Sequence, residues 1–391
     1  MKSIGGIALA VAILLAMVTI HEFGHYVAGK ILNFKINEFS VGFGPAIFKK
    51  RSKKTGELFA LRVIPLGGYC AFDGEDEIET DDKKEKTVAE TEVFEDMTPT
   101  AETVERVEKS EEQPLEQEQE YPEPKGVRFN DQAPWKRIIV LVAGATMNYL
   151  LALLLIIITF ATLGQPMYKI SEPREGKTMS AVYEVGDIIE SIDGKNVYMI
   201  TDYMDALSGK KQGDVVTVTV IRNDNRVNLS VTLEQDANFV NMSDTGRLLG
   251  ALGLDGLYTV TVRHGVFETL GRSFAYSWKI GGTVLRSLGE LLTGKLGLDS
   301  MGGPVTTITV TAQAASSSML QFLNISALIG VNLAVFNLLP VPALDGSKVV
   351  FCLIEWIRKK PINRNVEAII HLVGIVVLFA FAILVDILQL F

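Results

Sequence analysis

His21, Glu22 and His25 form an H-E-x-x-H stretch in a chain of 391 residues that holds four histidines in all. On a helix, residues four apart lie about 40° from each other around the axis and one turn along it. Both imidazoles therefore reach one tetrahedral metal position. Glu22 lies beside them, placed to take a proton from a water whose pKa zinc lowers toward about 7. The motif closes Ile4–Ile20, a run without Asp, Glu, Lys or Arg. Three ionisable side chains at such a place are costly unless they have a function.

Catalytic zinc needs a third protein ligand, and it has to come from a similar depth. Asp345 is the single acidic residue between Met319 and Phe351. It follows Asn337-Leu338-Leu339-Pro340-Val341-Pro342-Ala343-Leu344, where two prolines cannot both continue a regular helix. Non-helical backbone at membrane depth is tolerated only when it is buried in protein or lines a wet cavity. A helix broken there presents Asp345 to such a cavity.

The elements that position these groups are membrane spans. Hydrophobic residues make up 48% of the chain and charged residues still 21%, so the apolar residues are concentrated. Ile4–Ile20, Ile138–Leu163, Met319–Leu344 and Ala368–Val385 are long enough, or nearly so, to cross a bilayer. The first has the length of a signal peptide, with Lys2 as a basic start. It lacks a small-x-small cleavage site, and cleavage would detach the histidine motif. Lysines and arginines cluster after the first run (Lys30 to Arg62), before the second (Lys136, Arg137) and between the third and fourth (Arg358 to Arg364). The positive-inside rule puts these loops in the cytoplasm. The region 165–318 and both termini then face outward.

The net charge of −9 comes from one segment. Asp73–Gly126 holds 21 acidic and 6 basic residues, which leaves the remainder at +6. Its composition cannot bury enough apolar surface to offset chain entropy, so disorder is expected, and it lies outside every motif with chemistry. Nothing points to nucleic-acid binding. Cys70 and Cys352 are the only cysteines. On the cytoplasmic side they read as small buried hydrophobes rather than a disulfide.

Glu38–Ile64 reads as a β-hairpin, with Phe39, Val41 and Phe43 alternating along its first strand. Pro65-Leu66-Gly67-Gly68-Tyr69 breaks the pattern. Ser171–Gln235 reads as a small α/β or all-β module with an Asp193-Gly194 turn. Val266–Leu292 is amphipathic, which suits a helix packed on its own protein and one lying at the outer membrane surface, two readings that are compatible. His264 and His371 read as surface and packing residues.

Taken together, His21–His25 and Asn337-x-x-Pro-x-Pro-x-Leu-Asp345-Gly346 resemble the site-2 proteases, intramembrane zinc metalloproteases, and in the order of parts their bacterial RseP/RasP-like group. Val41-Gly42-Phe43-Gly44-Pro45, Ile64–Tyr69 and Gly302-Gly303-Pro304-Val305 resemble that group as well. The resemblance implies a polytopic α-helical membrane protein with four transmembrane helices, a membrane-associated β-hairpin and one extracytoplasmic PDZ domain. The division is then a first membrane helix (1–31), a β-hairpin region (32–72), an acidic cytoplasmic insertion (73–126), a second membrane helix (127–165), the PDZ domain (166–260), an amphipathic surface helix (261–300), a third membrane segment (301–360) and a fourth membrane helix (361–391). It implies His21, His25 and Asp345 as Zn2+ ligands, Glu22 as general base and Asn337 as a contact to substrate backbone or oxyanion. The location would be the bacterial cytoplasmic membrane, with the active site toward the cytoplasm. Partners would be the lipid bilayer and single-span substrates such as anti-sigma factors or remnant signal peptides. A substrate helix has to unwind before hydrolysis, and the hairpin, with Phe39, Val41 and Phe43, offers an edge to which it could add as a strand. Two other readings stand beside this one. One is a membrane metalloprotease acting on loop segments, distinguished by a different third ligand. The other is a PDZ-bearing membrane scaffold with a vestigial zinc motif, distinguished by absence of bound zinc.

Overall fold

The computed structural model describes residues 4–75, 121–172, 182–239, 244–298 and 301–389. Most of the acidic segment 73–126, expected to lack stable structure, lies outside the described residues. In chain order the elements begin with α1 (Ile4–Ile31), β1 (Ile36–Arg51), β2 (Leu58–Phe72) and α2 (Pro134–Thr162). Then come β3 (Gln165–Ile170), β4 (Ile188–Ile192), β5 (Lys195–Asn196), α3 (Ile200–Leu207), β6 (Val215–Arg222), β7 (Asn225–Thr232), α4 (Thr245–Ala251) and β8 (Leu257–Val262). The rest is helical: α5 (Val266–Leu292), α6 (Pro304–Ser317), α7 (Met319–Asn337), α8 (Asp345–Arg358) and α9 (Arg364–Leu388). Among the described residues, α1, α2, α7 and α9 are long and apolar enough to cross a membrane.

α1 ends where Asn33 takes a left-handed conformation (φ 62) and Phe34 donates its N–H to the Gly29 carbonyl at 2.9 Å. This closes the last turn in the manner of helix C-caps that use Gly or Asn. α2 starts at Pro134, whose missing N–H costs no hydrogen bond in a first helical turn.

β1 and β2 form more than a hairpin. Glu38–Val41 pairs with Leu58–Leu61 and also with Gly68–Ala71, while Phe48–Arg51 pairs again with Leu58–Leu61. Each long strand bends, and the sheet has four segments in the order 48–51, 58–61, 38–41, 68–71. The bends fall at Gly42 (φ 87), Gly44 (φ 81) and Gly67 (φ 105). A β-carbon on Gly42 would lie 2.7 Å from the Ile64 carbonyl oxygen, so only glycine allows the turn. The stretch Pro65–Tyr69, read from sequence as a break, is therefore a bend inside β2, and the sheet continues to Phe72.

The second sheet is antiparallel, ordered β7-β6-β4-β3-β8 with β5 beside β4. It is wider than the module read from sequence. β3 and β8 pair from Gln165–Val262 to Ile170–Leu257, so the chain leaving α2 and the chain entering α5 are neighbouring strands. Ile189, Ile192, Tyr203, Leu207, Val218, Val231, Leu248 and Leu252 fill the core between this sheet and α3 and α4.

α5 buries its polar face and exposes its apolar one. Arg272, Ser273 and Ser277 are buried, whereas Phe267 is 90% and Trp278 70% exposed. Arg272 and Arg226 both donate to Glu190 of β4. Burial pushes the Glu190 carboxyl up, but the two guanidiniums outweigh it and hold it below its ordinary range. The helix packs on its own protein against α2 and α7, and its exposed apolar stripe is of the kind that suits a membrane surface as well.

The third apolar run is not one continuous helix. α7 stops at Asn337 and α8 starts at Asp345, while α6, rich in Ser, Thr and Ala, lies beside α1. α9 is held at both ends. At its start Arg364 pairs with Glu355 at 2.9 Å. At its end the Asp386 carboxylate accepts from the backbone N–H groups of Val305 and Thr306 at 3.0 and 3.2 Å, capping α6. Glu355 also pairs with Arg137 of α2, and the two are 4% and 3% exposed.

Glu355→Leu removes the partner of a buried guanidinium, a change that costs about 3–5 kcal/mol. Thermal melting in detergent should show a large loss for this variant, largely recovered in Arg137→Leu/Glu355→Leu. Equal melting of the single and double variants would show that the ion pair does not carry this junction.

Candidate active site

His21 and His25 lie in the second half of α1, on the face toward α2. Two glycines allow that approach. A β-carbon on Gly24 would collide with the backbone of Ala143 and Gly144, and one on Gly144 would strike both imidazole rings. The rings meet edge to face, 4.8 Å between centroids and 85° between planes. His25 donates from Nδ1 to the Val140 carbonyl at 2.9 Å, which turns its Nε2 toward His21. His21 has its Nδ1 among amides, 3.4 Å from the side-chain nitrogens of Asn148 and Asn337.

Asp345 reaches them because the chain unwinds between α7 and α8. Ala343 takes a left-handed conformation (φ 79), and Gly346 packs so closely on the Leu338 and Leu339 carbonyls that a β-carbon there would overlap them. Asp345 Oδ2 lies 3.1 Å from His21 Nε2 and 3.4 Å from His25 Nε2, and the two Nε2 atoms are 3.2 Å apart. A tetrahedral zinc with bonds near 2.0–2.1 Å requires donor atoms roughly 3.3 Å from one another. Asp345 Oδ2 is buried without a hydrogen-bond partner, as expected of an oxygen meant for a cation. The donor set, two imidazoles and a carboxylate, suits zinc. Among the described residues no other group of three or more His, Cys, Asp or Glu converges in this way.

Glu22 shares a cavity of about 700 Å³ with the three donors. The β2 backbone forms one wall, and a β-carbon on Gly68 would stand 3.2 Å from Glu22 Cγ. Gly68–Glu75, Lys348 and His371 complete much of the lining. Lys348 is paired with Glu75 at 2.8 Å. His371 thus lies on the cavity wall, not merely within helix packing. Cys70 also lines the cavity. Burial pushes its thiol up, so it stays protonated. A separate apolar groove of about 490 Å³ between α2, α5 and α7 contains no His, Cys or acidic side chain, so the chemistry belongs to the polar cavity.

The strand residues singled out from sequence stand elsewhere. Phe39 packs against Tyr26 and Phe59, Val41 pairs with both Gly68 and Leu61, and the Phe43 ring covers Gly67. Glu38–Val41 is bonded on both sides and offers no edge for another strand. Among the described residues Gly68–Ala71 pairs on one side only, and these are the residues that line the cavity. His264, read from sequence as a surface residue, has a buried side chain, 3.4 Å from Glu268. Gly144 and Asn148 were missed in the sequence. Asn148 is a polar residue inside the charge-free run Ile138–Leu163, which is itself a pointer to function.

The model of peptidase family M50 matches residues 9–381. A zinc metalloprotease RasP of Bacillus licheniformis is 27% identical, covering 94% of each chain. The regulator of sigma-W protease RasP of Bacillus subtilis is 28% identical, again over 94% of each. A zinc metalloprotease RasP of Geobacillus kaustophilus is 27% identical over 95% of this chain and 94% of its own. The chain belongs to peptidase family M50, the zinc-dependent metallopeptidases known as site-2 proteases.

Proposed function

We propose that this protein is an intramembrane zinc endopeptidase that cleaves single-span membrane proteins, with His21, His25 and Asp345 as the metal ligands and Glu22 as the general base. The convergence of the three donor atoms, at separations of 3.1–3.4 Å, carries the reading. Zinc held there supplies Lewis acidity, lowering the pKa of water and polarising a carbonyl. Glu22 accepts the proton of the attacking water and returns it to the leaving amine. Asn337, at the end of α7 and half-buried beside His21, contacts the substrate backbone or the developing oxyanion.

The four apolar helices cross the bacterial cytoplasmic membrane, with the basic loops and the catalytic cavity toward the cytoplasm. The sheet formed by β3–β8, with α3 and α4, is an extracytoplasmic PDZ domain that excludes proteins with bulky outer parts. Substrates are anti-sigma factors already trimmed outside, or remnant signal peptides. The name of the Bacillus subtilis relative, regulator of sigma-W protease, supports the first class.

An unwound substrate adds as a strand to Gly68–Ala71, whose outer edge lies beside Glu22. This replaces the hairpin edge expected from sequence, where pairing on both sides leaves no room. Main-chain bonds to the edge offset those lost when the substrate helix opens.

His21→Ala should lose zinc by metal analysis, and retention of a full equivalent would refute the ligand assignment. Glu22→Gln should keep zinc while cleavage of a single-span substrate falls by about 10²–10⁴-fold, the usual contribution of an acid–base group. Activity within a few-fold of wild type would remove Glu22 from proton transfer.

A proline scan across Gly68–Ala71 tests the edge. Proline lacks the N–H that a strand partner needs, and alternate N–H groups point toward β1 or toward the cavity. At least one proline variant should keep zinc and lose cleavage. If zinc and cleavage fall together, or neither falls, at every position, strand addition does not occur there.

A further inference from the structure

His21 and His25 face the same point but are held by different means. The proton on His25 Nδ1 goes to the Val140 carbonyl at 2.9 Å, leaving Nε2 as the lone pair toward Asp345. His21 also turns Nε2 toward Asp345, at 3.1 Å. When Nε2 ligates a metal, Nδ1 carries the proton, and that N–H needs an acceptor. Among the described residues the groups beside it are the amide nitrogens of Asn148 and Asn337, each at 3.4 Å. Two NH₂ groups aimed at one N–H satisfy nothing.

A second observation lies on the same side chain. Asn148 is 1% exposed, and its Oδ1 is buried without a hydrogen-bond partner. A buried amide oxygen left unpaired costs about 1–3 kcal/mol. The oxygen and nitrogen of an amide have nearly the same shape, and their placement is an assignment from the hydrogen-bond network. A half-turn of the Asn148 amide brings Oδ1 to the His21 N–H and gives that oxygen a partner.

We infer that Asn148 is the positioning residue for His21, accepting the Nδ1 proton through its side-chain carbonyl and so fixing the tautomer that presents Nε2 to the metal. The inference rests on the reading of His21 as a zinc ligand. Asn148 is the better placed of the two amides for this task. It is fully enclosed where α7 closes over α2, with Gly330 packed on Ala152 and on the Asn148 carbonyl. Asn337 is half-buried at the end of α7 and remains free to face substrate. Partners of this kind orient a ligating imidazole and raise its basicity.

The test is zinc affinity, measured on the full-length protein in detergent by competition with a chromophoric chelator. Asn148→Leu, similar in size but without an acceptor, should weaken zinc binding by about 10–100-fold. Asn148→Asp keeps acceptor oxygens and has no NH₂, and should bind zinc near the wild-type level. Wild-type affinity in Asn148→Leu would overturn the assignment. So would a loss of affinity in Asn148→Asp, since that shows the working group to be the NH₂. Thermal melting of the zinc-stripped variants separates lost packing from a lost ligand partner. Should Asn148→Leu fail to fold, the aspartate variant alone decides. His21→Ala is the control beneath both: zinc retained there refutes the ligand reading, whereas zinc lost there with Asn148→Leu unchanged refutes only the role of Asn148.

Discussion

Three electron-rich atoms point at one another in this fold. The lone pairs of His21 and His25 Nε2 and the Asp345 Oδ2 oxygen are separated by 3.1–3.4 Å. Without a cation among them this arrangement repels, and a buried carboxylate is costly to hold unpaired. The protein has to force the approach from three separate segments. Gly24 and Gly144 let α1 and α2 touch backbone to backbone, which fixes the two imidazoles. The interruption between α7 and α8 brings in the carboxylate, and it requires a left-handed Ala343 and a glycine at 346. Strain and close packing collect where the donors meet, as expected when binding geometry is over-determined by the surroundings.

The same demand explains how α9 is held. It has little buried surface, yet it covers the broken segment. Pro342 lies against Gly374, where a β-carbon would overlap it. Glu355 and Arg364 secure the start of the helix, and Asp386 secures its end by capping α6. The loop bearing Asp345 is thus clamped by a helix that is attached at its ends and lightly packed between them. Gly303 belongs to this clamp, because any side chain there would displace Asp386.

Much of the site was legible before any coordinates, because helical spacing and the cost of charge in a membrane are local rules. His21, Glu22 and His25 are adjacent in sequence, and Asp345 was betrayed by two prolines and by standing alone among apolar residues. What was not legible depends on contacts between distant segments. The hairpin reading stopped at Ile64 since Pro65–Tyr69 carries turn residues, and only tertiary pairing shows that β2 continues through Gly67 to a second edge. For the same reason Phe39, Val41 and Phe43 alternated correctly for a strand but could not reveal that both sides of it are occupied. Asn148 sat unremarked in an apolar run, because its partner is 127 residues away. β3 and β8 were missed as strands of the second sheet because each adjoins a long helix, and helical neighbours obscure six-residue patterns.

The position of α5 then follows from which of its faces the protein can cover. Arg272 and Arg226 meet on Glu190, Lys279 reaches Asp202 at 2.6 Å, and this polar face is used up against the sheet of β3–β8. Among the described residues nothing covers Phe267, Leu270, Phe274 and Trp278, which are all exposed. A stripe of this size facing water is unfavourable by about 25 cal/mol for each Å² of apolar surface, whereas lipid accepts it without cost. On the membrane reading, α5 therefore lies in the interface with the second sheet above it. Since α5 also packs against α2 and α7, the sheet is tied to the helices that carry Asn148 and Asn337. A sheet anchored in this way is held against α2 and α7 through α5, and cannot swing freely from them.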